Sequence, residues 1–189
     1  KSESILPPKF NLPQLRHNTT ASQLDIRCDA WTVGICALWT LLDHEDAIEI
    51  MLKTGLSGVL LNLIIENGLR IPSLLRIRAS GMLLDMLLHR EHTKEAFAKL
   101  YPKNIAERLI VTMLYFRDID TQCYGAISAV RRATGEHRIS LVKLGAVEKL
   151  MELLSGAEAD SSLAEYCSQG LLNLSTHPTV QQYIPKVLE

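Results

Sequence analysis

The sequence predicts an all-α chain, an α-helical solenoid of about four repeated units, and three observations carry that prediction. Hydrophobic residues make up 47% of the 189 positions, yet Phe, Trp and Tyr together reach only 5%, so aliphatic side chains must fill the core. Leu dominates, with Ala, Ile and Met, and Val and Thr form no alternating runs, a balance that favours helix over sheet. The third observation is an internal echo. "GAISAVRRATGEHRISLV" at 125–142 and "GLLNLSTHPTVQQYI" at 170–184 both open on glycine, continue small and aliphatic, turn polar, then become aliphatic again.

The elements follow in order. Residues 1–22 hold three prolines and no helical period, which predicts an extended arm or linker laid against the domain by Ile5, Leu6, Phe10 and Leu12. From Gln23 onward the chain reads as helices broken by short turns. Aliphatic pairs three residues apart anchor four copies: Leu38/Leu41, Leu84/Leu87, Ile127/Val130 and Leu171/Leu174, with steps of 46, 43 and 44 residues. Ala37, Leu83, Ala126 and Gly170 precede them. Polar breaks follow ("DHED", "HREHTKE", "TGEHR", "STHPT"), then short aliphatic segments such as "AIEIMLKTG" and "ISLVKLG". Gly55 and Gly145 close those segments in copies one and three, at a helix C′ position that wants positive φ, and a further aliphatic helix comes next. In copy two "KNIAERLIVTMLYFRD" fills that place, with Pro102 near the glycine's position. A period of 40–47 residues built of two or three helices marks a solenoid. The expected repeat domain is 23–189, in units of about 24–67, 72–117, 119–156 and 160–189, the last incomplete. The Lys1 start and the short fourth unit suggest a piece of a longer array.

"ALWTLLDHEDAIEIMLKTGLSGVLLNLI" and "GLLNLSTHPTVQQYI" resemble armadillo repeats over roughly 24–189, with HEAT repeats the close competitor. The resemblance implies a right-handed α-solenoid in which one helix of each repeat lines a concave groove. On a helical wheel the anchors Leu38 and Leu41 face the core, and Trp39 and Asp43 lie away from it. The equivalent pairs are Asp85/His89, Ser128/Arg132 and Leu172/Thr176, with Arg78 and Tyr124 earlier on the same face. By resemblance these ten residues form a ladder of partner-contacting side chains. Armadillo proteins that bind nuclear localisation signals carry Trp and, four residues on, Asn in several repeats. This chain has one Trp-x-x-x-Asp, which argues against an import receptor. It also lacks the groove lysines of adhesion-type armadillo proteins.

Other chemistry is set aside by the residues themselves. A net charge of −1 gives no bulk field toward nucleic acid or anionic membrane. The longest apolar run, around "GVLLNLII", is too short to span a bilayer. His89 and His92 sit three apart without a third ligand, so no metal site is expected. Cys28, Cys36, Cys123 and Cys167 show no CxxC spacing and read as small core fillers of a reducing, intracellular compartment, cytoplasmic by preference. The neighbouring carboxylates Glu45/Asp46 and Glu158/Asp160 read as solvated turns.

The functional expectation is a non-catalytic scaffold without cofactor, binding an extended peptide or helix of another protein in its groove. Trp39, Tyr124 and Arg132 are the expected anchors. Two other readings stand beside it. In one, the N-terminal arm or a neighbouring domain fills the groove in cis. In the other, Arg78, His89 and Arg132 bind a small anion or nucleotide.

Overall fold

Every regular element of the described chain is helical in the computed structural model, which describes residues 21–65, 71–88, 99–176 and 181. Helix α1 spans Ala21–Thr40 and tightens into a 3-10 turn at Leu41–Asp43. Then come α2 (Glu45–Lys53), α3 (Leu56–Ile65) and α4 (Ser73–Leu88). Beyond Lys103 follow α5 (Ile105–Leu114), α6 (Ile119–Arg132), α7 (Gly135–Lys143), α8 (Ala146–Gly156) and α9 (Ser162–Ser175). Among the described residues no single helix is long and apolar enough to cross a membrane. The expected arm falls almost wholly on 1–20, outside the described residues; its last two positions, Ala21 and Ser22, already belong to α1.

The expected single repeat domain over 23–189 divides into two compact units, Lys1–Lys103 and Asn104–Glu189. In the first, α4 packs against both α1 and α3, and α2 joins them beside the 3-10 turn. Its interior is aliphatic, with Leu60, Leu61, Ile64, Leu75, Met82, Leu83 and Met86 almost wholly buried. In the second, α6 packs against α5 and α9, α9 against α8, and α7 bridges toward α5 and α8. Leu109, Ile110, Met113, Leu114, Leu141, Leu150 and Leu174 fill that interior. The same motif therefore appears in both units. A long helix of one copy lies beside the long helix of the next (α1 with α4, α6 with α9). All of these but α1 are covered by the shorter helix that precedes them.

Local signals explain the boundaries. Gly55 and Gly145 adopt φ of 78° and 85°, a left-handed conformation that costs a side-chain-bearing residue, so each ends one helix and lets the next start at once. Asp118 and Ser161 cap α6 and α9, accepting hydrogen bonds from the backbone N–H of Thr121 at 2.8 Å and Ala164 at 3.3 Å.

One anchor behaves differently from expectation. Leu41 was expected in the core beside Leu38, yet it is exposed, and the neighbouring Leu42 is buried instead. The helix gives way to the 3-10 turn at this residue, and no described helix precedes α1 to cover it. Its counterparts Leu87 and Leu174 are both buried.

Candidate interaction surface

The equivalent positions of adjacent copies meet. In the first unit the indole Nε1 of Trp39 on α1 donates to Asp85 Oδ2 on α4 at 2.8 Å, across 46 residues of sequence. Tyr101 donates from its hydroxyl to Ser57 Oγ at 3.1 Å, across 44. In the second unit Asn173 Nδ2 on α9 donates to the backbone carbonyl of Val130 on α6 at 3.3 Å, across 43. Trp39 and Asp85 stand at the same register of copies one and two, whose step is 46, while the Tyr101–Ser57 and Asn173–Val130 bonds join neighbouring copies two positions and one position out of register.

The ten expected ladder residues fall into distinct settings. Trp39 and Asp85 are brought together, both part-buried. Asp43 lies exposed in the 3-10 turn, and Arg78 is exposed on α4, two turns before Asp85. His89 lies outside the described residues. In the second unit Tyr124 and Arg132 are half-buried on α6, and Leu172 and Thr176 are exposed at the end of α9. Ser128 departs from the ladder: it is buried, so it packs inside the second unit and presents nothing to a ligand. The small side chain lets neighbouring helices close over a position that the wheel placed on the open face. Within each unit, then, the face holds a mixed set: an indole, carboxylates and a guanidinium in the first, a phenol, a guanidinium and a leucine in the second.

Sequence reasoning missed one polar pair of the second unit. Glu107 on α5 is buried, and its Oε1 meets Nδ1 of the half-exposed His137 on α7. Its signal was present: Glu107 lies three, four and seven residues before the buried Ile110, Val111 and Leu114, a carboxylate on an apolar face. The pairing to His137, thirty residues away, has no local trace. Asn173 acts in helix packing through its bond to the Val130 carbonyl. An open depression of about 530 Å³ borders the start of α9, lined by Leu154, Ala157, Asp160, Ser161 and Glu165; its two carboxylates oppose an anionic ligand.

The cysteines follow packing. Cys167 is fully buried, while Cys36 and Cys123 are half-buried. Burial first, then the nearby Cys123, pushes the Cys167 thiol up to about 11 from its usual 9.0. Burial, then Asp120, raises Cys123 as well. A thiol raised in the folded chain stays neutral where the unfolded chain ionises. Its contribution is therefore complete below pH 9 and is lost as pH rises toward 11. Thermal melts at pH 7, 9 and 10.5 should show melting temperature falling across the last interval, and Cys167→Ala should flatten that fall. An equal fall in the variant would assign it to other groups.

No protein family, curated protein or solved structure matches this sequence. The functional reading therefore rests on the geometry of the two units alone.

Proposed function

We propose that the chain is a segment of a right-handed, armadillo-like solenoid whose function is to hold a peptide or helix of another protein, with no catalytic step. The observation that carries this reading is the Trp39–Asp85 hydrogen bond. It aligns the same position of two successive copies, which is the condition for repeated helices to present a regular ladder of side chains. In the second unit the Asn173–Val130 bond also ties neighbouring copies together, one position out of register. On the first unit Trp39 supplies a large flat anchor bonded to Asp85, and Asp43 and Arg78 are the other exposed polar members of the expected ladder. On the second, Tyr124 and Arg132 belong to α6, and Leu172 and Thr176 lie at the end of α9, the helix packed against it. Aromatic and arginine side chains concentrate binding energy at interfaces, so these are the positions where truncation costs most.

The test starts from the partner protein isolated on the wild-type chain and measures its affinity for variants. Arg78→Glu sits at an exposed position and should leave the helical content and melting temperature intact; Arg132 is half-buried, so the melt of Arg132→Glu is measured beside its binding curve. Each should weaken binding by about tenfold or more, and Trp39→Ala by about thirtyfold. Unchanged affinity in both arginine variants would remove the ladder from the binding surface.

A further inference from the structure

We propose that Thr134, in the turn between α6 and α7, is a phosphorylation site for an arginine-directed protein kinase, and that the phosphate it receives is held by Arg138 and the first amides of α7. The acceptor lies in "VRRATGEHR", with Arg131 and Arg132 three and two residues ahead of its hydroxyl. Kinases of that class read a substrate by charge, pairing carboxylates of their cleft with guanidinium groups at those two positions. In the transfer the Oγ1 proton passes to the kinase's base and Oγ1 bonds to the γ-phosphorus of ATP. The bond from that phosphorus to the β–γ bridging oxygen breaks, and ADP leaves.

The turn presents the acceptor. α6 ends at Arg132, and the chain turns tightly at Ala133 (φ −69°, ψ 53°), where the Thr134 N–H donates to the Arg132 carbonyl at 2.6 Å. Thr134 is extended (φ −127°, ψ 144°) and exposed, and its hydroxyl makes no cap bond to α7. Arg131 is exposed as well. A Cβ on Gly135 would meet nothing within 4 Å, so the space after the acceptor is open. Other described hydroxyls behind arginines are withdrawn. Ser80, which follows Arg76 and Arg78, is fully buried and donates to the Arg76 carbonyl at 2.8 Å. Ser140, which follows Arg138, is half-buried within α7.

The same turn suits the product. α7 begins without a side-chain cap, which leaves its first amides to an anion carried by Thr134. Arg138 Nε donates to the Ala133 carbonyl at 2.8 Å, and this holds the guanidinium against the residue next to the acceptor. A phosphate brings about two negative charges at neutral pH. Arg131, Arg132 and Arg138 all lie within four residues of it. The opposing carboxylates are Glu136 in the first turn of α7 and the buried Glu107, which His137 already engages. Three guanidinium groups outweigh them.

The full chain is incubated with Mg–ATP and an arginine-directed serine/threonine kinase, and the phosphate is mapped by peptide mass spectrometry. Thr134 should carry it, Thr134→Ser should keep it, and Arg131→Ala, at an exposed position, should slow its transfer by about tenfold. The peptide 128–138 is the fully accessible reference. Ala133 is buried and the last turn of α6 must open to enter a kinase cleft, so the folded chain should react more slowly than the peptide yet go to completion. A peptide that is modified while the folded chain is not, or a phosphate found only at other residues, overturns the proposal. Once phosphorylated, the amides of 135–143 should exchange hydrogen about fivefold more slowly, and Arg138→Ala should reduce that gain relative to its own unmodified form. Exchange that does not slow, or slowing that is unchanged in Arg138→Ala, likewise overturns it.

Discussion

Leu114→Ala is expected to lower the free energy of unfolding by about 2–5 kcal/mol, read from the urea midpoint at unchanged slope. Leu114 is fully buried at the end of α5, and its Cδ2 would lie 3.1 Å from a Cβ placed on Gly125 of α6. The absent side chain at Gly125 is what allows α5 and α6 to approach, and the leucine occupies the space so gained. Cutting it back to alanine empties that space beside a residue that cannot refill it. The reverse change, Gly125→Leu, is expected to destabilise as well, by about 1–3 kcal/mol. It would meet Met113 Cβ and the backbone nitrogen of Leu114, neither of which is the free end of a flexible side chain. The double variant should recover only the part of the loss due to Leu114 Cδ2, because Met113 Cβ and the Leu114 nitrogen stay in place. Strictly additive costs would show that the two residues do not share one space.

His137→Ala is expected to cost about 2–3 kcal/mol, the price of leaving a buried carboxylate without its partner. Glu107 is buried within α5, while His137 on α7 is half-exposed, so water can reach the imidazole and soften the loss. Glu107→Leu made together with His137→Ala should return most of the stability, since a leucine suits the apolar face that Glu107 interrupts. Urea titration of the single and double variants measures both. A cost below about 0.5 kcal/mol for His137→Ala would mean the pair does not hold α7 to α5.

The helices were legible because their cause is local and repeated. A two-to-four residue aliphatic rhythm, returning every 43 to 46 residues, is enough to locate α1 through α9 and to anticipate the positive φ at Gly55 and Gly145. What escaped depends on partners distant in the chain. Ser128 sits at a position the wheel leaves open, and its burial is decided by neighbouring helices. Leu41 has the pattern of a core anchor, and its exposure goes with the 3-10 turn that begins at this residue and brings Leu42 inward instead. The division at Lys103/Asn104 falls inside the second expected unit, where the sequence carries no break stronger than Pro102. The polar links between copies were half visible. Trp39 and Asp85 were assigned the same register, yet nothing in either neighbourhood announces that the two side chains bond to each other.

Those links also constrain how the sequence can drift. In the Asn173–Val130 bond the acceptor is a main-chain carbonyl, which every amino acid possesses, so this bond places no demand on the side chain at 130 while 173 must keep an amide. In the Trp39–Asp85 bond both partners are side chains. Loss of either side chain removes the bond, and substitutions at 39 and 85 should therefore arise as matched pairs in related chains, whereas 130 and 173 should vary independently.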